Sequence, residues 1–233
     1  MLAAIVVDIE GTTSPAGAVR DTLYSYTRQH LRQWLAAGGP DVASVIADTA
    51  KLADCAGAGP AEVEEILVSW LDSDVKAQPL KTAQGLICAA GFRAGDLHGE
   101  FFADVAPALT AWHDADIALY VFSSGSVQNQ KDWFAYARGG ELSSLIRGWF
   151  DLNSAGVKED SLSYEKIADA IGVSARQILF LSDHAGELDA AAKAGWEVLG
   201  VSRPGEPYSP RAPHRWIESF TEIKPAEYGS PNA

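Results

Sequence analysis

The sequence predicts a doubly wound α/β protein, a parallel sheet with helices on both faces and a helical segment inserted after the first strand. Three observations carry this. Short continuous apolar runs recur at 3–7 (AAIVV), 117–122 (IALYVF), 178–182 (ILFLS) and 197–201 (EVLGV), the pattern of strands buried on both faces. Segments with apolar residues at helical spacing alternate with the later runs. Residues 16 to about 98 hold helical patterns without a strand signal.

The elements follow in chain order. The opening run MLAAIVV ends abruptly at Asp8. In the insertion, Val19, Leu23, Tyr26, Leu31 and Trp34 mark one helix, and Val42, Val45, Ile46, Thr49 and Leu52 a second. Pro60 opens a third, with Val63, Ile66, Leu67 and Trp70, and Pro79 a fourth; proline suits a first helical position because its missing N–H has no partner there. AGG at 37–39 and GAGP at 57–60 are loops. Beyond the insertion, Val105, Leu109 and Trp112 mark a helix before the second strand, and 126–137 a helix opened by Ser126. LIRGWF at 145–150 supplies a further strand, Tyr164, Ile167, Ala168 and Ile171 a helix over 162–171, and GELDAAAKA at 186–194 a helix stopped by Gly195. The expected organisation is an α/β core of residues 1–15 and 99–233 with a helical cap of 16–98.

Bulk properties restrict the partners. The chain has 233 residues, 47% hydrophobic, with 18 basic against 31 acidic residues and a formal charge of −13. Such a surface repels nucleic acid and anionic membrane, so an anionic substrate requires a local device: a metal, a lysine or main-chain amides. Cys55 and Cys88 form neither a disulfide framework nor a zinc motif, and reduced thiols point to the cytoplasm. The opening run is too short for a secretory signal and lacks a basic flank, and no run approaches the ~18 residues of a membrane helix.

In parallel α/β sheets ligands bind beyond the carboxyl ends of the strands, and three predicted ends carry chemistry. The first gives Asp8 and Glu10, the second Ser123, Ser124 and Gly125 in SSGS, and the strand at 178–182 gives Ser182 and Asp183, with Glu187 a helical turn later. SAGVKED places Lys158 in a loop before a helix. Taken singly these are commonplace: SSGS reads as a turn, Lys158 as a solvated side chain, Ser182-Asp183 as a helix cap. Together they fit phosphoryl transfer. A carboxylate can attack phosphorus to form an aspartyl-phosphate, provided a cation held by carboxylates, a lysine and hydrogen-bond donors neutralise the phosphate. A second acid can protonate the leaving oxygen and then activate water.

VVDIEGTTSP resembles the first motif of the haloacid dehalogenase superfamily, a strand followed by Asp-X-Asp/Glu-Gly-Thr. With PLKTAQGLI (79–87), FFADVAPAL (101–109), YVFSSGSVQNQK (120–131), SAGVKEDSLSYEKIADAIG (154–172), ILFLSD (178–183) and RPG (203–205), the chain resembles the enolase-phosphatases of methionine salvage within it. The match is loose over about 36–74. The resemblance implies a haloacid dehalogenase-like core and a Mg²⁺-dependent, monomeric, cytoplasmic enzyme. It implies enolisation of 2,3-diketo-5-methylthiopentyl-1-phosphate, a small phosphorylated diketone, followed by loss of phosphate to give the acireductone 1,2-dihydroxy-3-keto-5-methylthiopentene. It implies Asp8 as nucleophile and metal ligand, and Glu10 as acid/base with its carbonyl on the metal. Ser123, Ser124 and Gly125 would hold phosphate, Lys158 would neutralise it, and Asp183 would complete the metal site. Most of the superfamily carries aspartate where Glu10 stands; glutamate matches the enolase-phosphatases, and its longer reach suits a role in moving the enolisation proton. Glu187 is expected to pair with Lys158 rather than ligate, and His184 to be a loop residue, because Mg²⁺ prefers oxygen. The insertion would act as a cap that excludes water and reads the methylthio tail, with Lys81 and Gln84 as candidate contacts and Trp34 and Trp70 as its core.

Rival readings differ in identifiable ways. Another capped phosphatase of the superfamily, acting on a sugar phosphate or phosphoserine, would keep the hydrolysis and lack the enolase step. A phosphoacceptor signalling domain carries its aspartate on a middle strand, not the first. A serine hydrolase needs Gly-X-Ser-X-Gly, which FSSGSVQ does not supply. A non-catalytic binding protein would not need the full set of acids with a lysine. The tail AEYGSPNA is expected to be disordered.

Overall fold

The structure is a computed structural model that describes residues 1–73, 75, 77–208 and 210–229. The described chain divides into two compact units, 1–19 with 98–233, and 20–97.

The first unit is built on six parallel strands in the order β3-β2-β1-β4-β5-β6. They are β1 (Ala4–Val7), β2 (Ala118–Phe122), β3 (Ile146–Phe150), β4 (Ile178–Ser182), β5 (Glu197–Val201) and β6 (Trp216–Ile217). Alternate side chains of the central strands point to opposite faces and both sets are buried, Ile5, Val7, Leu119 and Val121 as fully as Val6, Tyr120 and Phe180. That two-sided burial is why these strands read as unbroken apolar runs. β6 has no such run. It is two residues long and pairs with β5 through Gly200↔Trp216, where a β-carbon on Gly200 would lie 2.3 Å from the Trp216 ring.

The register matters most for function. Val7 lies level with Val121 of β2 and with Leu181 of β4, and Asp8 N extends the ladder by donating to Leu181 O at 2.9 Å. The three central strands therefore end together, and the chain order reverses at β1, the position where open α/β sheets bind ligands.

Beneath this edge lies an aromatic cluster. Tyr164 packs edge-on against Phe122, Phe180 and Trp196 at centroid distances of 5.6, 5.2 and 5.3 Å, a geometry in which positive ring edges meet negative faces. Tyr164 comes from α7 (Ser161–Ile171); the other helices of this unit are α5 (Val105–Asp114), α6 (Val127–Ala135) and α8 (Ala185–Lys193). The expected disorder of the tail is corrected where it is described: Pro225–Glu227 form a 3₁₀ turn, Tyr228 is buried, and Gly229 O accepts a hydrogen bond from the Met1 amino group. Residues 230–233 lie outside the described residues.

The second unit contains most of α1 (Ala16–Ala37), with α2 (Pro40–Leu52), α3 (Pro60–Asp72) and α4 (Gln78–Ala94). Its core is aliphatic: Leu31, Leu35, Val42, Val45, Val63, Leu67, Leu71, Leu80, Ala83 and Ile87. Trp34 and Trp70 are partly buried against it. Gln84 Nε2 is buried without a hydrogen-bond partner among the described residues. No described helix is long and apolar enough to cross a membrane.

Candidate active site

The segment after β1 folds into a knot. The N–H groups of Thr12, Thr13 and Ser14 all donate to Ile9 O, at 3.2, 3.0 and 2.9 Å, while Gly11 N donates to Ser14 O at 2.8 Å. Gly11 has φ +73, and a β-carbon there would sit 2.0 Å from Asp183 Oδ2. Glycine is thus required twice, for the left-handed turn and for the approach of the Asp183 carboxylate. Thr12 joins the two strand ends: its Oγ1 donates to Asp8 Oδ2 at 3.3 Å and accepts from Asp183 N at 3.0 Å.

Lys158 reaches this edge from the loop before α7. Its Nζ lies 2.5 Å from Asp8 Oδ1 and 2.7 Å from Glu187 Oε2, and above the Phe122 and Phe180 rings at 5.7 and 6.0 Å. The loop is fixed from below, where Tyr164 donates its hydroxyl to Lys158 O at 2.7 Å. Glu187 Oε2 also accepts from Ser182 Oγ at 2.7 Å. The structure therefore sets Glu187 against Lys158. His184 sits at the start of α8 with Nδ1 3.6 Å from Glu159.

Ser123 is buried beyond β2, its Oγ accepting from Gly125 N at 3.4 Å; Ser124 is exposed. Glu10, in the segment after β1, is exposed. Two residues that sequence reasoning did not single out shape this serine loop. Gln130 is buried in α6 and its Nε2 donates to Ser123 O, Gly125 O and Phe150 O at 3.4, 2.8 and 2.9 Å. Asp151, one residue past β3, accepts from Val127 N at the start of α6 and from the amides of Asn153 and Ser154. An acid directly after an apolar run is a signal that would have found Asp151; nothing in VQNQK distinguishes Gln130 from any helical glutamine.

The electrostatics are those of an unbalanced acid cluster. Burial, outweighing the pull of Lys158 and reinforced by Glu187, pushes the Asp8 carboxyl up to about 7. Burial, with Asp8 and Glu187 nearby, pushes Asp183 up to about 8. Burial alone would lower Lys158, but Asp8 and Glu187 overcome it and hold the ammonium above the ordinary lysine range. Three acids thus share one lysine, a charge balance that a divalent cation corrects. Among the described residues no group of three or more His, Cys, Asp or Glu is arranged to hold a metal. Asp8 and Asp183 offer two buried carboxylates. That set is too sparse for a caged Ca²⁺, but it fits a hard cation that binds one or two carboxylates and keeps waters for the substrate.

Solved structures share the architecture. The UTR4 protein of Saccharomyces cerevisiae superposes with a TM-score of 0.81 at 29% identity, over 96% of this chain and 100% of that one. CbbY from Rhodobacter sphaeroides, solved in complex with phosphate, superposes with a TM-score of 0.61 at 16% identity over 95% and 96%, a likeness of fold. A parallel sheet in this order, with acids at the ends of β1 and β4 and a helical insertion after β1, is a haloacid dehalogenase-like hydrolase fold.

No family profile matches the chain, but known sequences do. Enolase-phosphatase E1 of Nocardia farcinica is 62% identical over 224 residues, 96% of this chain and 97% of the relative. Enolase-phosphatase E1 of Streptomyces avermitilis is 49% identical over 88% and 87%. The chain belongs to the enolase-phosphatase E1 family.

Proposed function

We propose that this enolase-phosphatase converts 2,3-diketo-5-methylthiopentyl-1-phosphate to the acireductone 1,2-dihydroxy-3-keto-5-methylthiopentene and phosphate, in methionine salvage, with Mg²⁺ as its cation. The observation that carries the residue assignments is the buried Lys158–Asp8 contact at the edge where Asp183 also ends a strand.

Asp8 is the nucleophile. Its Oδ1 lies against Lys158 and Thr12 orients Oδ2, so the carboxylate is aimed before substrate arrives, and attack on phosphorus forms an aspartyl-phosphate. Ser123, Ser124 and Gly125 hold the phosphate oxygens, and Gln130 directs the carbonyls of that loop away from them. Lys158 balances the charge of the transferring group, with Glu187 keeping the ammonium in place. Glu10 protonates the leaving oxygen, then activates the water that hydrolyses the phosphoenzyme. In the enolase step the same Glu10 moves a proton between carbon and oxygen. Asp8, Glu10 O and Asp183 would hold Mg²⁺, which supplies positive charge to the phosphate oxygens.

We assign residues 1–15 and 99–233 to the catalytic domain and 16–98 to a helical cap domain, a reading supported by the separate aliphatic core of α1–α4. We place the enzyme in the cytoplasm as a monomer, in keeping with its free cysteines, Cys55 and Cys88.

The deciding experiment supplies purified protein with Mg²⁺ and the diketone phosphate, following acireductone absorbance and phosphate release together. Both products appear, and Asp8→Asn releases no phosphate. Phosphate from unrelated esters alone, with no acireductone, would overturn the pathway assignment.

A further inference from the structure

We propose that Arg203 is a positioning residue for phosphoryl transfer, acting through Thr12 to hold the strand ends that carry Asp8 and Asp183 in register; this rests on the reading of Asp8 as nucleophile. Arg203 lies two residues beyond β5 and its side chain is 3% exposed. Nε donates to Thr12 O at 3.0 Å. Nη1 donates to Asp104 Oδ2 at 2.7 Å and to Glu218 O at 3.0 Å. Phe102 and Phe220 cover the guanidinium, their centroids 4.5 and 4.7 Å from Cζ. Asp104 is fixed in turn by Ser219 Oγ at 2.9 Å and Phe220 N at 2.6 Å. Burial works against its charge, but Arg203, the Phe220 amide and Ser219 together hold its carboxyl below the usual range.

The arrangement immobilises one N–H direction. A planar fork stacked by two rings and bonded through Nε and Nη1 cannot turn, so the Thr12 carbonyl it meets cannot turn either. Thr12 is the residue whose hydroxyl touches both Asp8 Oδ2 and Asp183 N. The same frame meets the knot a second time, where Phe102 N donates to Thr13 O at 3.1 Å. Stability alone explains Arg203 poorly. Its Nη2 is buried without a hydrogen-bond partner among the described residues, and a buried ion pair is a weak source of stability beside an apolar replacement. What the guanidinium supplies, and an apolar side chain would not, is direction.

Arg203→Lys tests this, because a point charge can keep Asp104 but cannot reach Asp104 and Thr12 O as a fork does. The expected result is a fall in kcat of about 10- to 100-fold, the size of effect that small misplacements produce, with KM within about twofold of wild type. Ser219→Ala, which removes a hydrogen bond from the same frame without touching Thr12, lowers the thermal midpoint and leaves kcat within about twofold. Should Arg203→Lys fail to fold, the double variant Arg203→Gln/Asp104→Asn removes both charges and leaves no ion unpaired; it is expected to fold and to lose kcat similarly. A kcat within twofold of wild type in whichever of the two Arg203 variants folds, or an equal kcat loss in Ser219→Ala, overturns the proposal. The comparison is run in parallel on p-nitrophenyl phosphate, whose hydrolysis uses Asp8 without enolisation. A wild type active on that ester and inert toward the diketone overturns the pathway reading, while the Arg203 comparison is still decided on the ester.

Discussion

The two units bury different things. In the helical unit the deepest positions are aliphatic: Leu31, Val63 and Leu67 are inaccessible, and their neighbours are of the same kind. At the carboxyl edge of the sheet the residues buried to a comparable depth are Asp8, Thr12, Thr13, Ser14, Ser123, Lys158, Ser182 and Asp183. Aliphatic burial is non-directional and follows area. Buried polar groups stabilise only when each finds its partner, and two adjacent acids with one lysine do not. The helical unit is therefore held by its core, whereas the sheet edge is carried by the strands and aromatics below it and is itself a charged site that a bound cation would relieve.

Substitutions that separate stability from chemistry sharpen this contrast. Lys158→Ala should have the largest effect, lowering kcat by about 10² to 10³, the range for removing one transition-state charge partner, while the protein still folds; phosphate release measured beside circular dichroism decides it. Leu67→Ala, in the helical unit, should cost about 2–5 kcal/mol of that unit's stability through transfer and cavity losses. Hydrogen exchange would show the loss confined to α1–α4, and loss spread evenly through the sheet would break the comparison. Gln130→Met removes the donors to three carbonyls and should weaken inhibition by inorganic phosphate roughly tenfold, about one hydrogen bond's worth; an unchanged inhibition constant would mean the serine loop holds its shape alone.

The last test is one of pH. Asp8 and Asp183 are pushed up to about 7 and about 8 in the folded, metal-free protein. A raised folded pKa means that the folded state holds its proton longer than the unfolded chain. The stability this gives is complete below the unfolded value of about 4 and is lost as pH rises through 7 and 8. Thermal scans in chelator should show the midpoint falling between pH 6 and 9. Mg²⁺ should raise it more at pH 9 than at pH 6, because the cation competes with those protons. A metal-free midpoint that does not fall over that interval would contradict the electrostatics of the edge.

Sequence reading succeeded where physics repeats. β1, β2, β4 and β5 are apolar because both faces are covered, and the four helices of the insertion show helical spacing because each has one buried side. Asp8 and Asp183 stood out as acids at the ends of such runs, and Lys158 as a basic residue in a loop before a helix. β6 escaped because two residues cannot show a period, and its place depends on Gly200 lying under Trp216, a contact between distant segments. Arg203 was visible within RPG, but its meaning lies in Thr12 and Asp104, 191 and 99 positions away in the chain. Tyr228 was read with a polar tail, although it is buried close to the residue that meets the N-terminus. Supporting residues are defined by their partners, and partners belong to the fold rather than to the local sequence.

Gly11 also sets a limit for anyone seeking a hardier variant of this enzyme. Replacing loop glycines with alanine is a routine route to thermostability, since it narrows the freedom of the unfolded chain. Here the added methyl would need a backbone angle that alanine avoids, at φ +73, and the space held by the Asp183 carboxylate. A library that treats position 11 as an ordinary turn would select against its own best scaffolds, and the position should be frozen before any such campaign begins.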